Sequence, residues 1–256
     1  MEIIRVFICV CLVFFLSAGL IYSAEDSQLP EEAQSAGQEP EEEISLLKLV
    51  PKEGLLGYFR FEEEADADNP DQPGNAVITA VKAVSKEGKY GSAMEFSREG
   101  AIARTEIRIN QEENTAGATF CAFVLPYEHA IEARRQAIST DNSGFDWSIL
   151  IEDGRWFVFN NADSVDTGIN AKIGEWQFIS AVFDPEKGIT FYCNDESFHI
   201  EEIQFEDSTN PLAIGNNASD DMYPECFMGM IDEVLIYERP LSYEEIMNIF
   251  GIYKNI

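Results

Sequence analysis

Positive charge is scarce in this sequence. Its 256 residues hold 17 Lys and Arg against 47 Asp and Glu, a formal net charge of −30, so nucleic acid would be repelled by the chain as a whole. Divalent cations and polycations stay open as partners. Histidine is nearly missing: His129 and His199 are the only two, and neither neighbours a recognisable Ser or Cys nucleophile motif, which argues against triad catalysis. No C-x-x-C and no Cys/His cluster occurs, which argues against a zinc or redox centre. Of the five cysteines, Cys9 and Cys11 lie in an N-terminal apolar run, leaving Cys121, Cys193 and Cys226. At most one pair can form among these within a chain, and whether Cys193 and Cys226 pair is left open. Cys121 in "TFCAFVLP" and Cys193 in "ITFYCND" sit in apolar strand patterns and read as buried thiols.

What is present falls into three parts. An apolar run from Val6 to Tyr22 follows Arg5 and precedes Ser23 and Ala24, so residues 1–24 read as an export signal peptide. Ile21 or Tyr22 would stand where cleavage prefers a small residue, which leaves an uncleaved N-terminal membrane anchor as the alternative. Either way the chain is expected to be secreted or held at the cell surface. Residues 25–53 read as an acidic disordered tether: Glu25 to Ser45 carries eight carboxylates and no Lys or Arg, and its Glu, Gln, Pro, Ala and Ser cannot bury enough apolar area to order it. Residues 54–256 read as one domain.

Within that domain, turn residues recur about every eight to twelve positions between short aromatic and β-branched runs. Examples are "GLLGYFRFE" (Gly54 to Glu62), "FDWSILIE" (Phe145 to Glu152), "RWFVFN" (Arg155 to Asn160) and "EWQFISAVFD" (Glu175 to Asp184). The fold class is therefore all-β, and runs apolar on both faces suit two packed antiparallel sheets. "EDGR" and "DPEKG" mark hairpins. Only the end looks helical: Ser242 and Glu245 form a capping box ahead of Ile246, Met247 and Phe250 at helical spacing. One residue jars. In "FMGMIDEVLIY", strict alternation puts Asp232 on one face with Met228, Met230, Val234 and Ile236. A buried carboxylate there needs a cation or a donor, because an unpaired buried charge is costly.

In order along the chain, "GLLGYFRFE", "GKYGSAMEF", "GEWQFISAVFDPEKGITFYCND", "PLAIGN" and "GMIDEVLIYERPLSYEEI" resemble the laminin G-like members of the concanavalin A-like lectin/glucanase superfamily. The resemblance spans Leu55 to Phe250 and implies a jelly-roll sandwich of two antiparallel sheets with a short C-terminal helix. It also implies functions dominated by glycan binding, adhesion and protein contacts. Glucanases of this superfamily present their carboxylates as E-x-D-x-(x)-E from one strand, and no strand here has that pattern. An enzyme is therefore not expected. Related proteins often carry a structural calcium between the end of the first strand and the last strand, which here implies Asp232 with Glu62 or Glu63 as metal ligands.

For ligand binding, sugars lay apolar ring faces on aromatics and bond their hydroxyls to Asn and Asp. Trp147, Trp156, Tyr127 and Tyr223 are the available platforms, although Trp147 and Trp156 lie in strand patterns typical of core. The polar loop "NNASDDMYPE" is the expected rim, through Asn216, Asn217, Asp220 and Tyr223, and "NAS" would make Asn217 a glycan acceptor. The expected function is an extracellular, non-catalytic lectin-like module for carbohydrate or glycoprotein, with the membrane met only through an uncleaved N-terminus. A diverged glycoside hydrolase and a structural, adhesive protein-binding surface protein are the alternatives.

Overall fold

The computed structural model describes residues 49–62, 78–109, 116–130, 132–140, 146–161, 163–204, 210–219 and 225–254. The expected signal peptide, nearly all of the expected tether, and Glu63, Asp220 and Tyr223 lie outside the described residues. In chain order the elements are β1 (Leu55–Phe59), β2 (Thr79–Val81), β3 (Val84–Glu87), β4 (Ser92–Phe96), β5 (Ile102–Arg104), β6 (Ala118–Pro126), β7 (Arg134–Ser139) and β8 (Asp146–Glu152). They continue with β9 (Arg155–Asn161), β10 (Asp163–Asn170), β11 (Gln177–Asp184), β12 (Gly188–Cys193), β13 (Glu196–Ile200), β14 (Ala213–Ile214), β15 (Gly229–Tyr237) and the helix α1 (Tyr243–Lys254).

Two antiparallel sheets form. The eight-stranded sheet runs β13-β12-β11-β6-β15-β4-β3, with β1 also paired to β15; the seven-stranded sheet runs β10-β9-β8-β7-β14-β5-β2. Phe120, Val124, Ile179, Phe183, Phe191, Val234 and Ile236 of the first meet Ile138, Trp147, Ile149, Trp156 and Val158 of the second in one core. This is the expected jelly-roll sandwich. The "EDGR" hairpin joins β8 to β9 with Asp153 and Gly154 both left-handed (φ 49° and 77°), as a two-residue turn between twisted strands requires.

The outer face of the eight-stranded sheet is covered by α1. Tyr58, Cys121, Phe123, Phe178, Leu235 and Tyr237 pack there against Ile246, Ile249 and Tyr253. The capping box closes as expected: Glu245 Oε2 accepts from the Ser242 N–H at 2.8 Å, and Ser242 Oγ accepts from the Glu245 N–H at 3.3 Å. Arg239 donates twice to the same Glu245 carboxylate, at 3.1 and 2.6 Å. Packing in this layer begins at Val50, which is buried in the same cluster, ahead of the Gly54 boundary read from the sequence. A chain beginning at Pro51 should therefore be less stable than one beginning at Ile44 by about 1.5 kcal/mol, the value of one buried valine side chain. Urea unfolding of the two chains checks this, and equal midpoints would show that Val50 contributes nothing.

Candidate functional site

Asp232 owes its surroundings to a break in strand alternation. β15 pairs with β6 as Asp232↔Phe123 and next as Leu235↔Cys121, one residue more on β15 than on β6, which is a β-bulge. Glu233 takes the extra position with left-handed backbone, φ 51°. The bulge shifts the alternation. Ile231 before it and Val234 and Ile236 after it face the sandwich core, while Leu235 and Tyr237 face α1. Asp232 and Glu233 both point to the α1 side. The face-sharing of Asp232 with Val234 and Ile236 read from strict alternation is therefore corrected: one extra residue separates them.

Both carboxylates are buried and both are bonded. Asp232 Oδ2 accepts the N–H groups of Lys89 and Tyr90, each at 3.0 Å, and Oδ1 accepts that of Glu233 at 2.8 Å. The turn between β3 and β4 thus rests on this side chain, and glycine lets it: a Cβ on Gly88 would stand 2.7 Å from Asp232 Oδ2. Gly91, at φ 54°, lies against Glu62, where a Cβ would meet Oε1 at 2.0 Å. Glu62 Oε2 accepts the Ser92 N–H at 3.1 Å. Glu233 Oε2 accepts hydrogen bonds from Tyr58 and, at 2.6 Å, from Tyr253, whose hydroxyls are 2.8 Å apart. Arg60 Nε lies 3.7 Å from Glu233 Oε1. One carboxylate pins the turn and its neighbour pins the helix.

Of the two carboxylates expected to share a calcium, Asp232 accepts backbone N–H groups at both oxygens and Glu62 at Oε2. A hard cation, which needs several oxygen ligands, would have to displace or share those bonds. The alternative ligand Glu63 lies outside the described residues. Among the described residues no group of three or more His, Cys, Asp or Glu side chains is placed to hold a metal ion.

Burial pushes the Asp232 carboxyl up to about 8, against the pull of its N–H donors. A carboxyl raised in the folded state contributes stability in full below its unfolded pKa, and loses it as pH rises through the folded value. Glu245 has the opposite sign: its bonds to Arg239 hold it down to about 2, so its contribution is lost as pH falls toward that value. The urea midpoint should decline from about pH 4 to about pH 8, and the Asp232→Asn chain should keep only the part of that decline due to Glu233, whose carboxyl burial also raises. A midpoint flat across this range would show that Asp232 does not titrate there.

The opposite surface of the molecule has a different chemistry. In the β8–β9 hairpin Trp147, Ile149, Ile151, Trp156 and Val158 fill the sandwich, so Ser148, Leu150, Glu152, Arg155, Phe157 and Phe159 lie on the other side of the sheet. There Ser148, Leu150 and Phe159 are themselves covered, and Glu152, Arg155 and Phe157 reach solvent. The register sets these side by side: Glu152 between Arg134 and Arg155, Phe157 between Leu150 and Asp166, Phe159 between Ser148 and Ser164. Arg134 Nε bonds Glu152 Oε2 at 3.2 Å, and the Arg134 guanidinium lies over the Phe159 ring, 5.0 Å from its centre. Arg155 Nη1 meets Asp166 Oδ2 at 2.7 Å. Phe157 is half-buried, opposite Asp166 in the sheet register. A partly exposed ring beside paired guanidinium and carboxylate groups is what a hydroxyl-rich ligand needs.

The residues expected to bind ligand divide. Trp147 and Trp156 have no exposed surface; Trp147 stacks on Phe183 at 4.7 Å and Trp156 Nε1 bonds Gln177. They are core, and the expectation of sugar platforms is corrected. Asn216 and Asn217 are buried as well and shape their own loop. Asn216 donates to Ala101 O and accepts from the N–H groups of Asn217 and Glu225, while Asn217 accepts from Ser219 and donates to Glu225 Oε2. Neither amide is presented to a ligand or to glycosylation in the folded chain. The loop does reach the outward face: Glu225 Oε2 also accepts from Gln136 Nε2 on β7, at 2.8 Å. Arg134, Glu152, Arg155, Phe157 and Asp166 were missed from the sequence. Their signal was "RWFVFN", where both alternating phases carry aromatics and only one can be core.

The sequence model described as Concanavalin A-like lectin/glucanases superfamily matches residues 101–247. No curated protein matches the chain in sequence. Among solved structures, domain 4 of AbnA, a GH43 extracellular arabinanase from Geobacillus stearothermophilus, in complex with arabinotriose, is similar with TM-score 0.56 and 19% identity, over 76% of this chain and 97% of that one. Trypanosoma rangeli sialidase is similar with TM-score 0.60 and 15% identity, over 78% of this chain but 33% of the sialidase. The botulinum neurotoxin serotype D binding domain gives TM-score 0.57 and 14% identity, over 79% and 51%. The chain thus spans about a third of the sialidase and half of the toxin domain. With the matched residues covering more than half of its length, the chain belongs to the concanavalin A-like lectin/glucanases superfamily.

Proposed function

We propose that this chain is a non-catalytic module that binds carbohydrate outside the cell, on the outward face of β7 to β10. The observation that carries this reading is the half-buried Phe157 ring beside the Arg155–Asp166 pair, with the Arg134–Glu152 pair on the same face. A sugar would lay its C–H face on Phe157 and exchange hydroxyl hydrogen bonds with the two pairs. The complex of AbnA domain 4 with arabinotriose supports a glycan as the ligand class. Glu152 and Asp166, the carboxylates beside Phe157, are each bonded to an arginine, which supports a binding role over hydrolysis.

Titration calorimetry with arabinotriose and a glycan array test the reading. At least one glycan should bind, and Phe157→Ala should weaken it about tenfold, equivalent to about 1.4 kcal/mol, with the melting temperature held. Glycan binding unchanged in Phe157→Ala would move the site elsewhere. Release of reducing sugar from polysaccharides would favour the hydrolase instead, and binding to proteins without any glycan would favour the adhesive reading.

A further inference from the structure

The flank formed by β2 and β3 differs from the rest of the molecule. β2 ends the seven-stranded sheet and β3 ends the eight-stranded one, and only Lys82 and Ala83 separate them. Lys82 takes left-handed backbone, φ 56°, and carries the chain from one sheet to the other. Among the described residues both sheets therefore end along one side, in strands whose every residue is exposed. Among the described residues, Val81 and Val84 are two of the five exposed large hydrophobic side chains, each 42% exposed. The charge here is reversed. Positions 79–108 hold Lys82, Lys86, Lys89, Arg98, Arg104 and Arg108 against Glu87, Glu95, Glu99 and Glu106, in a chain whose net charge is −30. The three lysines and Arg104 are exposed, and Arg104 lies on β5 directly beside Thr79 of β2.

An open sheet edge offers unpaired backbone N–H and C=O groups to another strand, and lysines on an edge ordinarily repel a second copy of the same edge. They do the opposite to a carboxylate-bearing strand. We propose that this flank is a strand-addition surface for an extended acidic polypeptide segment of a partner. Its backbone pairs with β3 or β2, its apolar side chains cover Val81 and Val84, and its carboxylates meet Lys82 and Lys86. A second copy of this chain is disfavoured as the occupant, because both copies are strongly acidic overall and would present the same lysines at the junction.

The probe is a fluorescein-labelled peptide of alternating Glu and Val, read by anisotropy against the full chain. Binding should weaken several-fold when salt is raised, and at least tenfold in Lys82→Glu/Lys86→Glu, whose exposed positions leave the melting temperature unchanged. The same peptide N-methylated at alternate residues keeps its charge but loses backbone donors along one edge, and it should not bind wild type. Equal binding of the methylated peptide would overturn strand addition. Equal binding of a Lys/Val peptide, or no binding of the Glu/Val peptide, would overturn the proposal as a whole.

Discussion

Asp232→Ala should lower the unfolding free energy by about 3–5 kcal/mol, as read from urea unfolding. The side chain is fully buried and takes hydrogen bonds from Lys89, Tyr90 and Glu233. Alanine leaves these N–H groups without their acceptor, and each orphan that stays buried costs about 1–3 kcal/mol. Asp232→Asn should be milder, about 1–3 kcal/mol, because whichever way the amide turns its NH2 faces at least one donor. Calcium and chelator should leave the melting temperature of wild type unchanged. A calcium-dependent rise, which linkage would set at about 2.7 kcal/mol for a hundredfold excess over the dissociation constant, would restore the metal reading. An Asp232→Ala chain as stable as wild type would remove the carboxylate from the fold's support.

Trp147→Ala should be as damaging, at about 3–5 kcal/mol. The indole is stacked at 8° on Phe183 of the facing sheet and donates from Nε1 to Gln204 O at 3.1 Å, so alanine opens a cavity where the two sheets meet and frees a carbonyl. Phe157→Ala, on the other surface of the same hairpin, should change the melting temperature little and affect binding instead. The pair separates support from recognition within one hairpin. If Trp147→Ala kept full stability and lost glycan binding, the assignment of the two surfaces would be reversed.

How legible was this molecule? Strand and turn chemistry is local, and it is written plainly: the "EDGR" turn, the Ser242–Glu245 box and the apolar runs of β6 and β11 all took the forms their residues favour. The bulge was not legible. Alternation carries no mark of a single extra residue, and Glu233 is not a residue type that announces left-handed backbone, so the faces of Asp232 and Val234 were read as one. The partners of Asp232 were hidden for another reason. Two of the three are backbone N–H groups more than a hundred positions away along the chain, and no side-chain pattern encodes a backbone donor. The proposed binding face was missed because half-buried and fully buried aromatics look alike within a strand such as "RWFVFN". Only the core partners of Trp156 and Val158 decide which phase turns outward.

The pairing of β1 with β15 joins the first described strand to the last, with Leu55 opposite Tyr237 and a Tyr58–Glu233 bond spanning 175 positions. During synthesis β1 emerges early and has no partner until almost the whole domain has followed it. Closing so large a loop comes before any reward from the contacts it brings, which makes folding slow and late. Hydrogen-exchange labelling of nascent chains truncated before residue 229 should find β1 unprotected. The domain would exist as a native sheet only once its last strand is free, and until then the chain remains a substrate for chaperones and proteases.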